Sequence, residues 1–136
     1  MKSYLKKIIL PSIYVFCFLF TAASQTPAAD YLDGVDAYNN GDYETALKEW
    51  KELAEKGNVA AQKDLGFMYS KGQGVALDYA QAFAWYTVAV SQGNEAARRS
   101  REIISEEMSQ DKIARGKELA KQLYKDVYGG QLKMSK

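Results

Sequence analysis

Residues 57–61 read Gly-Asn-Val-Ala-Ala, and residues 93–97 read Gly-Asn-Glu-Ala-Ala, at a spacing of 36 residues. The same spacing relates six apolar positions that precede each copy. They pair as Tyr43 with Tyr79, Ala46 with Ala82, Leu47 with Phe83, Trp50 with Tyr86, Leu53 with Ala89 and Ala54 with Val90. A fixed period of roughly 20–50 residues is typical of a solenoid, in which each unit buries its apolar face against a neighbour. The repeat therefore predicts a stacked architecture.

The apolar residues of both copies recur at intervals of three and four, which places them on one face of an α-helix. Each such helix is expected to begin after an aspartate, Asp42 or Asp78, whose carboxylate can accept from the free amides of the first turn. Glycines suited to the left-handed conformation follow each helix, and an asparagine after each glycine can cap the next one. One helix thus ends and another begins within two residues. The chain is predicted to be all-α, with antiparallel helix pairs.

Three further helices complete this pattern. A helix before Asp42 presents Tyr31, Val35 and Tyr38, and a helix after Asn58 presents Ala61, Leu65, Met68 and Tyr69. The positions that match Leu65 and Tyr69 one period later are Arg101 and Ser105, so the repeat ends there in a cap. Ser109 is expected to cap a last helix whose buried residues are Ile113, Ala120, Leu123 and Val127, and Gly129-Gly130 would end it.

The first 24 residues resemble a secretory signal peptide. Three lysines precede the apolar run 8–20, and small residues follow it at 21–24. The run is too short to span a bilayer comfortably, so a cleaved signal is favoured over a retained anchor. We expect cleavage near Ser24, a spacer at 25–29, a repeat domain at 30–128 and a flexible tail at 129–136. The protein would then be exported, either to the periplasm or to the medium.

Charge and cysteine content limit the function classes. Without residues 1–24 the chain has 15 basic and 17 acidic residues, a net charge of −2, which argues against nucleic-acid binding. Residues 25–97 carry 5 basic and 11 acidic groups, whereas residues 98–136 carry 10 and 6. The basic half is either a solvated helix pair or a face for an acidic partner or membrane surface. The single cysteine, Cys17, lies in the signal segment, so no disulfide is expected.

Residues 61–97 match a longer pattern, A-x-x-x-L-G-x-M-Y-x-x-G-x-G-V-x-x-D-x-x-x-A-x-x-W-Y-x-x-A-x-x-x-G-x-x-x-A. This segment resembles one complete Sel-one-like repeat (SLR), a relative of the tetratricopeptide repeat. The unit before it resembles a plain tetratricopeptide unit, and the helices after it resemble the usual ending of this family. The resemblance implies a short right-handed α-solenoid of about two repeats plus a C-terminal capping helix pair. It also implies a role in protein assembly without catalysis.

The residues themselves offer little chemistry. Residues 25–136 contain no histidine and no cysteine, which removes the commonest general base, the thiol nucleophile and the usual zinc ligands. Ser109-Gln-Asp-Lys112 matches an S-x-x-K motif, but its companion motifs are missing and an N-cap serine is the better interpretation. We therefore predict no enzyme activity, no catalytic residue, no metal and no cofactor.

A binding role would use the groove lined by the first helix of each pair. Aligning Leu65-Gly66 on the repeat, with five loop residues missing from the first unit, selects three positions in each helix. The predicted partner-binding residues are Lys63, Phe67 and Ser70 in the middle helix, Leu32, Asp36 and Asn39 before it, and Arg99, Ile103 and Glu106 after it. Phe67 lies off the buried stripe, and aromatic anchors are favoured at interface hot spots.

The sequence thus predicts an exported, non-catalytic adaptor that binds another envelope or secreted protein through its helical groove. Two alternatives remain open. One is a small cell-wall hydrolase that uses the acids of the N-terminal half, among them Asp36 and Glu44. The other is a stabiliser of the membrane surface that uses the basic C-terminal helices. The partner's identity and the oligomeric state are not predicted.

Overall fold

The computed structural model describes residues 27–132, and all of its regular structure is helical. In chain order the helices are α1 (Pro27–Asn39), α2 (Tyr43–Glu55), α3 (Val59–Lys71), α4 (Tyr79–Ser91), α5 (Glu95–Glu106) and α6 (Gln110–Tyr128). The all-α prediction is confirmed over this part of the chain. Consecutive helices pack against each other from α1 to α5, while α6 lies along α4 and reaches α2.

The N-caps form as the sequence predicts. Asp42, Asn58, Asp78 and Asn94 each accept a hydrogen bond from a backbone amide of the first turn, at 2.8–3.1 Å, and Ser109 accepts one at 3.4 Å. The turns between pairs contain Gly57 and Gly93 at φ of 91° and 86°, a conformation that favours glycine. These short turns hold neighbouring helices antiparallel.

Two clusters of buried side chains form the core. The first joins α2 to α3 and includes Trp50, Leu53, Leu65 and Met68, with Trp85 of α4 at its edge. The second joins α4 to α5 and consists of Ala82, Phe83, Tyr86, Ala89, Ala97, Ile104 and Met108. The predicted stripes of α2 and α4 lie in or against these clusters, so the repeat pattern marks the residues that stack.

Two helical glycines admit large aromatic rings at helix crossings. A Cβ on Gly66 would lie 2.7 Å from a ring carbon of Tyr86, and one on Gly34 would lie 2.3 Å from Nε1 of Trp50. Trp50 and Tyr86 are one period apart, so Gly34 and Gly66 occupy the same place in successive units. In both places the group that approaches the glycine is an aromatic side chain of a neighbouring helix.

This equivalence corrects the register of α1. The loop between α1 and α2 contains three residues, 40–42, and the loop between α3 and α4 contains seven, 72–78. The first unit therefore lacks four loop residues, not five, and α1 corresponds to α3 at an offset of 32. A one-residue shift on a helix turns the predicted position by about 100°.

The corrected register explains the acidity of α1. Asp30, Asp33 and Asp36 correspond to the buried residues Gln62, Leu65 and Met68 of α3, which pack toward the preceding pair. In α1 that side has no helix pair against it in the described structure. Asp30 and Asp33, with Glu49 and Glu52 of α2, line an open notch there. This side of α1 is thus polar in the described structure.

Helix α6 covers the outer side of α4. It approaches through Gly116 and Ala120, which are its buried residues, and Tyr128 at its end lies against the turn at Gly57. There the amide nitrogen of the buried Gln62 donates to the hydroxyl of Tyr128 at 2.9 Å. This contact fixes the end of α6 to the turn between α2 and α3.

The predicted boundaries lie close to the helix ends. Helix α1 begins at Pro27, inside the predicted spacer and three residues before the predicted domain start, because proline is well suited to the first helical position. The predicted signal at 1–24 and the last four residues of the predicted tail lie outside the described residues. Among the six described helices, none has both the length and the apolar character that crossing a bilayer requires.

Candidate partner-binding groove

A groove of about 370 Å³ lies on the side of the stack formed by the alternate helices α1, α3 and α5. Its walls come from α1, α3 and α5, and its base is formed by Trp50 of α2 and Tyr86 of α4. The remaining lining residues are Tyr31, Val35, Tyr38, Lys63, Asp64, Phe67, Ala96 and Ser100. Most of this surface is apolar and aromatic, which is the usual character of a site that binds a side chain or a small ligand.

The aromatic wall is a packed array rather than a set of separate rings. Trp50 stacks between Tyr31 and Tyr38, with ring centroids 6.2 and 5.6 Å apart and the planes within 28°. Tyr38 in turn meets Phe67 edge to face at 6.4 Å. Because each ring is held by its neighbours, the wall presents a preformed surface, and little side-chain entropy remains to be lost on binding.

Two tyrosine hydroxyls fix α1 relative to α3. Tyr31 donates to Oδ2 of Asp64 at 2.5 Å, and Tyr38 donates to the side-chain carbonyl of Gln73 at 2.9 Å. Burial raises the pKa of Tyr31, and the adjacent Asp64 carboxylate raises it further. The phenol therefore stays protonated and continues to donate across the groove at neutral pH.

Asp64 is the one carboxylate among the described lining residues, and both of its oxygens are engaged. Oδ2 accepts from Tyr31, and Oδ1 pairs with Nζ of Lys63 at 2.6 Å. The side chain of Asp64 is mostly buried, while that of Lys63 remains one-third exposed. The charge of Asp64 is thus compensated within the protein, and the ammonium of Lys63 keeps donors that can meet a ligand.

At the base of the groove, Tyr86 is held in a largely apolar setting. Burial raises its pKa, and hydrogen bonding with the Ser70 and Ser100 hydroxyls lowers it by a smaller amount. The phenol is therefore neutral at ordinary pH. Its ring fills the space above Gly66, so the depth of the groove at this point is fixed by the core.

Phe67 is the aromatic residue that the groove offers to solvent. It is 37% exposed, although Tyr38 covers one side of its ring and Lys71 places Nζ 5.9 Å from the ring centroid. One period later, Ile103 of α5 is 67% exposed. Helices α3 and α5 thus both expose an apolar side chain at the equivalent position of the repeat.

The structure brings only part of the predicted set into the groove. Phe67 and Lys63 line it. Ser70 is buried and donates to the backbone oxygen of Phe67, so its side chain is not available on the surface. The six other predicted residues are exposed but do not line the groove, and these are Leu32, Asp36, Asn39, Arg99, Ile103 and Glu106.

On α1, the predicted residues miss the groove because the predicted alignment with α3 is one residue out of register. An offset of 32 converts Lys63, Phe67 and Ser70 to Tyr31, Val35 and Tyr38, and these three residues line the groove. Their spacing in the sequence predicts instead that all three belong to the buried stripe of the helix. Matching Gly34 with Gly66 identifies them, because the residue directly after each glycine, Val35 or Phe67, faces the groove. Asp64, Ala96 and Ser100 carried no distinguishing sequence signal.

Comparisons with known proteins agree with this architecture. No protein-family model matches the chain. Over 62 residues it is 39% identical to a protein of Rhizobium leguminosarum bv. viciae named "exopolysaccharide production negative regulator", covering 46% of this chain and 23% of that protein. A protein of the same name from Rhizobium meliloti (strain 1021) is 35% identical over 69 residues, covering 51% and 26%. The chain spans about a quarter of the length of these relatives.

A solved structure supports the fold directly. It superposes with a TM-score of 0.71 at 29% sequence identity, over 79% of this chain and 24% of the other. That protein is described as a protective antigen present in uropathogenic Escherichia coli strains that displays an SLR fold. The predicted α-solenoid of helix pairs is confirmed, and the described part of this chain is a helical repeat domain with the SLR fold.

Proposed function

We propose that this chain is a non-catalytic protein-interaction module that binds a segment of another protein in the groove between α1, α3 and α5. The observation that carries this proposal is the preformed aromatic wall, from which Phe67 projects partly exposed. Rigid aromatic side chains at a partly open site provide large contact area at low entropic cost. The SLR fold and the regulator names of the relatives support a role in protein interaction rather than in turnover.

The acid content of the groove favours binding over hydrolysis at this site. Glycoside hydrolysis ordinarily uses two carboxyl groups that face each other across the substrate. Among the described lining residues only Asp64 is acidic, and Tyr31 and Lys63 occupy its oxygens. Such a carboxylate positions its neighbours and is poorly placed to act as an acid or base.

Export is part of the proposal and rests on the sequence of residues 1–24. Their basic start, short apolar run and small residues before Gln25 are typical of a cleaved secretory signal. The partner would then be an envelope or secreted protein. Mass spectrometry of the protein purified from its host tests this point, since cleavage near Ser24 would give a chain that begins near Gln25.

We also propose that the interaction serves regulation of polysaccharide production. The supporting observation is that both bacterial relatives are named as negative regulators of exopolysaccharide production. Since the match covers about a quarter of each relative, the shared part would be the binding module of a longer regulator. Deleting the gene in its host should raise exopolysaccharide output, and unchanged output would contradict this role.

Site-specific photo-crosslinking tests the groove as the binding site. A photoreactive phenylalanine analogue would replace Phe67, and a matched variant would carry it at Leu77, which is 58% exposed but lies outside the groove lining. After irradiation of the envelope fraction of the host, we expect a discrete crosslinked protein with the analogue at position 67 and none at position 77. Equal crosslinking at both positions, or none at position 67, would contradict the proposal.

A further inference from the structure

We propose that the segment bound in the groove is acidic and carries a large apolar side chain, so that an apolar anchor contacts Phe67 while flanking carboxylates meet basic groups of α3 and α5. This inference rests on the proposed function, because it names the chemistry of the partner at the same site. It follows from the charges that border the aromatic wall.

Helix α3 presents a basic-aromatic-basic row. Lys63, Phe67 and Lys71 are spaced by four residues, so their side chains lie on one face about one turn apart. Lys71 approaches the Phe67 ring at 5.9 Å, and Lys63 lies on the groove wall. Any side chain that packs on Phe67 therefore places its neighbouring residues near two ammonium groups.

Helix α5 extends this row. Arg99 is one period after Lys63, and Ile103 is one period after Phe67, so the same order of charge and apolar contact recurs on the adjacent helix. Within residues 27–132, Arg99 makes no ion pair, in contrast to Arg98, which pairs with Glu95 and Glu102. Glu106 lies one turn beyond Ile103, which limits the basic row to the Arg99 end of α5.

The opposite wall does not offset these charges. In the corrected register, α1 lines the groove with Tyr31, Val35 and Tyr38, so it contributes aromatic and aliphatic surface there and no aspartate or glutamate. Two of its three aspartates, Asp30 and Asp33, line the notch on the side of α1 that no described helix pair covers. Asp64, the remaining acid of the groove, is compensated by Lys63 and Tyr31. Because Lys63 and Asp64 compensate each other, the charge available around the aromatic wall comes from Lys71 and Arg99 and is positive.

Synthetic peptides of equal length test this inference by fluorescence anisotropy. The first carries phenylalanine flanked by aspartates, the second carries phenylalanine flanked by lysines, and the third carries alanine flanked by aspartates. We expect the first to bind about tenfold more tightly than either of the others, because several weak ion pairs and one apolar contact act together. Raising the salt concentration should reduce this preference between the first two peptides.

Charge reversal in the protein provides the second arm. Combining Lys71→Glu with Arg99→Glu should abolish the preference for the acidic peptide or invert it, whereas Lys51→Glu, at an exposed site on α2, should leave it unchanged. Equal or tighter binding of the lysine peptide, or no binding of the acidic one, would overturn the acidic-partner inference. If the peptide test fails but photo-crosslinking at position 67 still captures a partner, the acidic-partner inference is wrong and the proposed function stands. If photo-crosslinking at position 67 also captures no partner, both proposals are wrong.

Discussion

Replacement of Gly66 by alanine tests the glycine-aromatic crossing on which the stack depends. The new Cβ would lie 2.7 and 2.8 Å from two ring carbons of Tyr86, well inside the ordinary carbon contact distance of about 3.5–4 Å. Tyr86 is 1% exposed and belongs to the α4–α5 core cluster, so its ring can move away from the new methyl group only by losing core contacts. Overpacking of this kind costs about 1–3 kcal/mol, and the better helix propensity of alanine returns about 0.8–1 kcal/mol. We expect a net loss of up to about 2 kcal/mol.

A double-mutant cycle separates the two contributions. In a Tyr86→Leu background the ring is gone, so Gly66→Ala should keep its propensity gain and lose most of the clash. The free energy of unfolding, measured in urea for all four proteins, should then show a coupling of about 2 kcal/mol. An equal effect of Gly66→Ala in both backgrounds, or a stabilised single variant, would refute the crossing as described.

Three further predictions concern the groove wall and the end of the stack. Trp50→Ala should cost about 3–5 kcal/mol in urea unfolding, because the indole is buried between two tyrosine rings; a loss below about 1 kcal/mol would contradict that burial. Tyr31 has a raised pKa, so its contribution to stability is complete below the ordinary tyrosine value of about 10 and declines above it. Tyr31→Phe should therefore reduce the loss of stability between pH 9 and pH 11, and an unchanged loss would count against this burial. Asp33→Leu places an apolar residue on the free face of α1 and should cause concentration-dependent association in sedimentation, with Asp33→Asn as the polar control that remains unaffected.

The fold follows from local sequence signals because each signal has a direct physical cause. The 36-residue period places Trp50 and Tyr86 in equivalent buried positions, and the capping residues Asp42, Asn58 and Asp78 set where the helices begin. The caps act over a few residues and can be recognised locally, and the period is visible as a direct repetition of the sequence. The helix order and the core were therefore predictable without knowledge of tertiary contacts.

The lining of the groove was only partly predictable, since it depends on the rotation of each helix about its axis. Phe67 was recognised because it lies off the buried stripe of its own helix. Tyr31 and Tyr38 were assigned to the core, since an aromatic residue at helical spacing looks the same whether its outer edge is covered or open. Asp64 could not be identified, because its role arises from Tyr31, which is 33 residues away in sequence.

The comparison of Phe67→Ala with Leu65→Ala, two residues apart on α3, tests the central claim most directly. Leu65 is fully buried, and its replacement should cost about 2–5 kcal/mol of stability. Phe67 is partly exposed on the groove, so its replacement should change the melting temperature little while weakening partner binding by about 1–3 kcal/mol. Both quantities would be measured on the same preparations, by thermal unfolding and by titration with the crosslinked partner once it is identified. If Phe67→Ala unfolds the domain as severely as Leu65→Ala, or leaves partner affinity unchanged, the groove is not the binding site.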